Sequence, residues 1–217
     1  HDIPVIFNFF AFLPESWGGE NPFLDPRAVA AQQAFLGAIA RRYSATDDVI
    51  WDLINEPSFS AASQLWRTRP NGDASERAAW EEWLRTRYGA GGEDHLAAAR
   101  RAWGSAPDES AALPSLDDFT DRNLFGTVRP RKAADYKRFS QDMFAIWVRQ
   151  MTEALRGNGN RAQLITVGQD EGGLSERPNP LFFGKSIDFT CMHTWWNNDA
   201  QAWDAVLSAL PDRPMLV

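Results

Sequence analysis

The sequence contains a single cysteine, Cys191, among 217 residues. A single thiol cannot form a disulfide within the chain, so the stability of the fold must come from packing and hydrogen bonds. Cys191 lies in an apolar run, which favours a small core residue over a nucleophile. Histidine is also scarce, and His1, His95 and His193 are widely separated. Because cysteine and histidine form no cluster, the sequence argues against a structural zinc site.

Positive charge is in the minority. The chain has 22 Lys and Arg residues against 29 Asp and Glu, with a formal net charge of -7 and an isoelectric point near 5.0. It lacks the basic surface that nucleic-acid-binding proteins use, so we expect no nucleic-acid partner. No apolar run approaches the ~20 residues that cross a bilayer, so we expect no membrane-spanning segment.

The N-terminal residues show no signal peptide. His1 and Asp2 lead directly into an apolar run that is typical of a buried strand. This pattern predicts that the natural N-terminus lies further upstream, which leaves the localisation open. With 44% hydrophobic residues, the chain is long enough and apolar enough for one domain with a substantial core.

Aromatic residues are abundant by contrast, with 10 Trp and 14 Phe. Tryptophan-rich clefts are common where the apolar faces of sugars are bound, but large rings also fill protein cores. We predict that most of these rings belong to the core.

The stretch from Val49 to Pro57 organises the chain. Its apolar run has the length of a strand buried on both faces, and it ends in the polar pair Asn55-Glu56. Pro57 cannot donate to a sheet ladder and keeps Glu56 out of helical geometry, so the strand is expected to end here. In parallel α/β barrels, the carboxyl ends of strands carry the chemistry. A catalytic Glu56 is therefore favoured over the alternative, in which Glu56 caps the following turn.

The sequence WDLINEP at positions 51–57 resembles the strand-four signature of clan A glycoside hydrolases, the (β/α)8 retaining enzymes that include family 5. The resemblance implies an α/β fold, the (β/α)8 TIM barrel. It also implies that Glu56 is the general acid/base and that Asn55 contacts the 2-hydroxyl group of the sugar. This chemistry needs no metal and no organic cofactor, so we expect none.

Two further strands carry candidate substrate-binding residues. Residues 3–10 predict a buried strand, which the resemblance places as strand three with Asn8 facing the cleft; a buried, hydrogen-bonded Asn8 is an equal alternative. Residues 187–196 predict another strand, similar to strand six of family 5, where a His-x-Tyr sequence lies near the active site. His193 and Trp195 occupy these positions, and we expect both to line a subsite. Trp195 departs from the family pattern, because an indole only donates hydrogen bonds.

Two loops are similar to loops of family 5 mannanases. Trp17-Gly18-Gly19 resembles the Gly-Gly loop after strand three, where Trp17 is a candidate sugar platform. The turn at 168–173, after a predicted strand at 163–168, resembles a Gly-x-Glu-Gly sequence with one extra residue. Glu171 is a candidate substrate contact there, although a solvated loop carboxylate is favoured.

Capping signals and periodicity predict the helices. Asp25 and Pro26 have the residue types of an N-cap and a first helical position. Residues 130–156 carry the clearest helical pattern. Its apolar stripe consists of Tyr136, Phe139, Met143, Trp147, Met151 and Leu155.

Residues 60–130 interrupt the alternation of strands and helices. They predict two helices, at 73–88 and 93–103, and then a loop-like stretch at 106–130. The segment resembles a helical insertion in family 42 β-galactosidases and related clan A enzymes. A wall of the active-site cleft and a passive structural addition are both compatible with this pattern.

Only five strands are found, which the resemblance numbers three to seven. Five strands cannot close an eight-stranded barrel, so we interpret residues 1–217 as an incomplete (β/α)8 catalytic domain. In this clan the nucleophile is a Glu at the end of strand seven, which is predicted here at 214–217. We therefore expect the nucleophile to lie beyond Val217 and this chain alone to be inactive.

Together these patterns predict a retaining β-glycoside hydrolase whose partner is a β-linked carbohydrate. β-Mannan is the first substrate expected from the mannanase-like loops. A β-galactosidase-like enzyme is the alternative, because of the helical insertion. A non-catalytic carbohydrate-binding barrel is the third interpretation.

Overall fold

A computed structural model describes residues 3–60, 62–120, 130–159, 161–170, 176–193 and 209–216. The helices are α1 (Pro26–Arg42), α2 (Ala74–Tyr88), α3 (His95–Trp103), α4 (Pro130–Asn158) and the short α5 (Pro180–Phe183). The strands are β1 (Val5–Asn8), β2 (Val49–Asn55), β3 (Ile165–Asp170), β4 (Thr190–His193) and β5 (Met215–Leu216). Among the described helices, none is both long and apolar enough to cross a membrane.

The five strands form one parallel sheet in the order in which they occur along the chain, β1-β2-β3-β4-β5. This confirms the predicted α/β class, because parallel neighbours need a crossover connection between each pair. Parallel strands also bring all their carboxyl ends to one edge of the sheet. Polar residues that end different strands therefore become neighbours.

The predicted helix signals are confirmed at α1 and α4. The Asp25 side chain accepts a hydrogen bond from the Arg27 backbone, and Pro26 occupies the first helical position. The apolar stripe of α4 is buried except at Met143, which is partly buried. α4 packs against α1, and the Trp147 ring of its stripe also contacts Phe10, which follows β1.

The segment between β2 and α4 packs onto α4 through aromatic rings. Trp80 stacks on Trp83 and Trp103, at centroid distances of 5.4 and 6.3 Å. Trp80 also contacts Phe139 of α4 edge to face, and Trp83 donates a hydrogen bond of 2.9 Å to Asp142. These three tryptophans are core residues, as predicted for most of the rings. The stretch predicted as loop-like at 106–130 also contains a 3₁₀ helix, Leu116–Phe119.

Three predicted features differ from the structure. The first strand spans only Val5–Asn8, and Val5, Ile6 and Phe7 are 40–53% exposed rather than buried. The reason is that β1 has one described neighbour, β2, and forms an outer strand of the sheet. The third strand, predicted at 163–168, is Ile165–Asp170, so it begins and ends two residues later than predicted. At the start of the helix predicted from residue 73, the Asp73 side chain accepts from the Glu76 N–H as an N-cap does, whereas the Glu76 carboxylate accepts from the Gly72 N–H rather than from that of Asp73.

Gln32 is the polar link at the centre of the α1–α4 interface. It is fully buried, accepts a 2.7 Å hydrogen bond from the Trp147 indole, and donates to the carbonyl groups of Glu15 and Pro22. Gln32 therefore ties both helices to the loop that follows β1.

We predict that Gln32→Met lowers the free energy of unfolding by about 1–3 kcal/mol, the cost of leaving buried polar groups without partners at nearly constant volume. Gln33→Met is the matched control, because Gln33 is only half-buried and makes one long hydrogen bond of 3.5 Å. Urea unfolding measures both. Equal losses in the two variants would contradict the role assigned to Gln32.

Candidate active site

The carboxyl ends of β1 to β4 bring four polar side chains to one edge of the sheet. Asn8 ends β1, Asp52 lies within β2, Glu56 directly follows β2, and His193 ends β4. In parallel α/β sheets, ligands bind at this edge. Three of the predicted site residues, Asn8, Glu56 and His193, thus belong to one cluster.

Glu56 and His193 are in direct contact. His193 Nδ1 lies 3.1 Å from Glu56 Oε1, and the two side chains are 21% and 14% exposed. The contact orients the Glu56 carboxyl group, while the residual exposure leaves the pair accessible from solvent. When Nδ1 carries the proton, the imidazole donates to the carboxylate.

The backbone of Glu56 is held in an unusual conformation. Its φ angle is +49°, in the left-handed region that residues other than glycine rarely adopt. The Glu56 N–H donates to Gly168 O at 2.7 Å, and its carbonyl accepts from the Arg177 guanidinium at 2.9 Å. Such strain costs about 1–3 kcal/mol and persists only where surrounding contacts enforce it. These contacts on both sides of Glu56 direct its side chain towards His193.

Asp52 was not predicted as a site residue, yet it occupies the centre of the cluster. It is 6% exposed, accepts a 2.8 Å hydrogen bond from Asn8 Nδ2, and accepts another of 2.8 Å from the Gly168 N–H. Burial raises the pKa of Asp52, while these two hydrogen bonds and the nearby His193 act in the opposite direction. Asn8 is hydrogen-bonded, as the alternative interpretation expected, but it is exposed rather than buried, and its predicted contact with substrate stays a prediction.

A bulge in β2 decides which side chains face the cluster. Asp52 is paired with Thr166 and Asn55 with Gly168, so three steps along β2 match two steps along β3. Since alternate residues of β3 share a face, Asp52 and Asn55 also share a face, which a regular strand would not allow. Asn55 is half-buried at the strand end beside Glu56. Its predicted contact with a sugar hydroxyl stays a prediction.

Gly168 leaves the space in which the cluster packs. A methyl group at this position would lie 2.9 Å from Asp52 Oδ2 and 3.0 Å from His193 Nε2. Both distances are too short for a carbon atom, so only glycine fits between Asp52 and His193 without displacing one of them.

Other predicted residues fall elsewhere. Trp195 and Glu171 lie outside the described residues. The Trp17 ring packs against Phe10 and Phe35, at 6.0 and 5.3 Å.

The thiol of Cys191 is half-buried in β4, near the Asp52 carboxyl group. Burial raises the pKa of the Cys191 thiol to about 11, so it is protonated at neutral pH, as expected for an unreactive cysteine. Within the described ranges, no three His, Cys, Asp or Glu side chains are placed to hold a metal ion.

The solved structures that this chain resembles are glycoside hydrolases. A β-galactosidase from the psychrophilic Marinomonas ef1 superposes with a TM-score of 0.58 at 18% identity, over 85% of this chain and 27% of its own. A cold-adapted β-galactosidase from Rahnella sp. R3 gives 0.60 at 18% identity, over 81% and 24%. An exo-β-agarase gives 0.60 at 16% identity, over 98% and 30%.

The comparisons concern the fold and only part of each structure. The chain spans about a quarter to a third of the length of these glycoside hydrolases. No protein-family model matches the chain, and no curated protein has a similar sequence. The chain thus shares the fold of a segment of glycoside hydrolases, at identities too low to transfer an activity.

We predict that Asp52→Asn gains stability relative to the wild type as pH rises. Because the pKa of Asp52 is raised in the folded state, the proton favours folding below about pH 4, the pKa of an unfolded Asp. That advantage is lost as pH rises through the folded-state pKa, by at most about 1.4 kcal/mol per pH unit. Asparagine keeps the shape and does not titrate.

Urea unfolding of both proteins between pH 2 and 8 measures this difference. Asp25→Asn is the control of opposite sign, because hydrogen bonds from the Glu20 backbone and from Arg27 lower the pKa of Asp25 to about 2. The stability that the Asp25 carboxylate contributes to the fold is lost as pH falls towards about 2. An Asp52→Asn difference independent of pH would refute the assignment of a buried, titrating carboxyl group.

Proposed function

We propose that this chain forms part of a retaining β-glycoside hydrolase in which Glu56 is the general acid/base. The observation that carries the proposal is the contact of Glu56 with His193 at the carboxyl edge of a parallel sheet. The similarity of that sheet to segments of glycoside hydrolases supports it. So does WDLINEP, which ends in Asn55-Glu56-Pro57 as the clan signature does.

The proposed mechanism uses Glu56 twice. In the first step the protonated carboxyl group donates its proton to the glycosidic oxygen, while a second carboxylate attacks the anomeric carbon and the leaving sugar departs. In the second step the Glu56 carboxylate takes a proton from water, and that water releases the covalently bound sugar. The contact with His193 holds the carboxyl group in one orientation through both steps. Asn55 is proposed to bind the 2-hydroxyl group.

Asp52 is not suited to be the second carboxylate. Its oxygens accept hydrogen bonds from Asn8 and from the Gly168 backbone, and its side chain is buried within the strand. A retaining enzyme needs its two carboxyl groups about 5–5.5 Å apart, with the nucleophile facing the sugar. We propose that the nucleophile is a Glu that follows β5, as the family resemblance implies.

We propose that the described sheet contributes to a (β/α)8 barrel. The five strands are parallel and sequential, as barrel strands are. The apolar side chains of Val5, Ile6 and Phe7 on the outer strand β1 are unusually exposed for a sheet of this type. Pairing of β1 with a further strand would cover them.

For the substrate, we propose a β-galactosidic bond in an oligosaccharide or polysaccharide. The structures that superpose on this chain include β-galactosidases and β-agarases, and the helical segment at 60–130 resembles an insertion of family 42 β-galactosidases. β-Mannan is the second candidate, supported by the resemblance of strand three, of the Trp17-Gly18-Gly19 loop and of the turn at 168–173 to those of family 5 mannanases.

We predict that Glu56→Ala lowers kcat/KM on the natural substrate by about 10²–10⁴-fold, the usual contribution of a general acid/base. An aryl β-galactoside with a good leaving group should still form the glycosyl–enzyme, because that departure needs no protonation. Added azide should then restore turnover and yield a β-glycosyl azide. The assay uses the protein expressed at its full length, with aryl β-galactosides, β-mannosides and β-glucosides in parallel.

Two controls sharpen this experiment. Glu56→Gln preserves the shape of the side chain but cannot donate a proton, so it should match Glu56→Ala without azide. Glu153→Gln removes an exposed carboxylate on α4 and should leave activity unchanged. Full activity of Glu56→Gln on substrates with poor leaving groups would exclude Glu56 as the acid.

A further inference from the structure

Trp66 is an exposed tryptophan in the segment that follows β2. Its side chain is 41% exposed, and its φ angle is +74°, a left-handed conformation that is costly for a large side chain. The backbone N–H of Trp66 donates a 3.1 Å hydrogen bond to the hydroxyl oxygen of Ser58, and Ser58 is buried. The exposed position of the Trp66 ring is therefore unfavourable in two ways, because the backbone is strained and an apolar surface is left in water.

The ring of Trp66 is fixed by two contacts. The Arg177 guanidinium lies over it at 4.0 Å from the centroid, and the Phe12 ring meets it at 4.4 Å in an edge-to-face arrangement. A guanidinium over an aromatic face is a favourable cation–π contact. Two contacts from different parts of the chain immobilise the indole, yet about two fifths of the residue remains open to solvent.

Arg177 also connects Trp66 to the candidate acid/base. The same guanidinium that covers the indole donates to the Glu56 carbonyl at 2.9 Å, and Arg177 is 6% exposed. The neighbouring Glu176 accepts from Arg69 at 2.8 Å and from Lys137 at 2.9 Å. These bonds fix the position of Trp66 relative to Glu56.

Polar side chains next to Trp66 in the chain line a cavity of about 510 Å³. Its lining includes Gln64, Arg67, Arg69 and Glu176, together with Leu116 and Phe119. This volume lies in the range of small-molecule sites, and the lining supplies donors and acceptors for hydroxyl groups. A single exposed ring among polar neighbours is unlike the continuous apolar patch of a protein interface.

We propose that Trp66 is a sugar-binding platform. Its exposed indole stacks on the apolar C–H face of a neutral pyranose unit of the β-glycan, and Gln64 and Arg67, which are close to Trp66 in the chain and line the cavity, bind hydroxyl groups. The sugar unit that Trp66 binds lies further along the same glycan than the glycosidic bond that Glu56 protonates. Arg177 contacts both Glu56 and Trp66 and so fixes their relative position. The proposal rests on the proposed function and adds a specificity-determining residue to it.

The test measures binding and turnover separately. Binding of a β-galactan tetrasaccharide, and of mannotetraose, is measured by calorimetry on the full-length protein carrying Glu56→Gln, which leaves the glycan intact. Trp66→Ala should weaken binding of the preferred tetrasaccharide about tenfold, and Trp66→Phe should retain most of it. Tyr43→Ala is the matched control, because Tyr43 is a similarly exposed aromatic residue, at 40%, but it follows α1 and packs on Trp51.

Kinetics with Glu56 present supply the second readout. Trp66→Ala should raise KM for the tetrasaccharide about tenfold and leave kcat/KM for a monosaccharide aryl glycoside unchanged, since that substrate is too short to reach the platform. Unchanged tetrasaccharide binding in Trp66→Ala, or an equal loss in Tyr43→Ala, overturns the platform. If binding depends on Trp66 but no glycoside is cleaved, the platform stands and the hydrolase assignment fails.

Discussion

Asp52 is a buried carboxyl group that accepts hydrogen bonds from both strands that flank its own. Asn8 approaches from β1 and the Gly168 backbone from β3, while His193 of β4 lies beside it. Four strands therefore meet around one side chain at the edge of the sheet where Glu56 emerges. Since burying a carboxyl group is costly unless it is well hydrogen-bonded, this arrangement tolerates few alternatives at Asn8 or Gly168.

Glu56 depends on that arrangement in two ways. Its backbone N–H is anchored to Gly168, whose own N–H is bound to Asp52, and its carboxyl group meets the imidazole of His193. On the other side of Glu56, the Arg177 guanidinium donates to the Glu56 carbonyl. The same guanidinium lies over the Trp66 ring, so it links the two residues. Hydrogen bonds on both sides of Glu56 hold its strained backbone in one conformation. Such an arrangement preorganises a reactive side chain before the substrate binds.

Local patterns in the sequence predicted the elements well. The cap at Asp25, the stripe of α4 and the end of β2 at Asn55 each depend on neighbouring residues, so a single stretch contains the signal. Glu56 and His193 were predicted because a polar residue that ends an apolar strand is conspicuous. Their contact at 3.1 Å joins residues 137 positions apart, which only the sheet order brings together.

The missed features share a physical cause. Asp52 lies within an apolar run, and its partners are 44 and 116 positions away, so nothing nearby distinguishes it from a tolerated polar residue. Arg177 and Trp66 likewise gain their roles from each other, across more than a hundred residues. The exposure of β1 was missed because its apolar composition describes a strand with neighbours on both sides, whereas the described sheet supplies one.

The bulge between Asp52 and Asn55 has a consequence for how this stretch tolerates insertions and deletions. Three steps along β2 match two along β3, so β2 holds one residue more than regular pairing needs. Losing either Leu53 or Ile54 would restore regular alternation and leave Asn55 opposite Gly168, on the same face as Asp52. Losing both would make Asn55 the neighbour of Asp52 and turn its side chain to the opposite face. We therefore expect this stretch to tolerate the loss of one residue better than the loss of two.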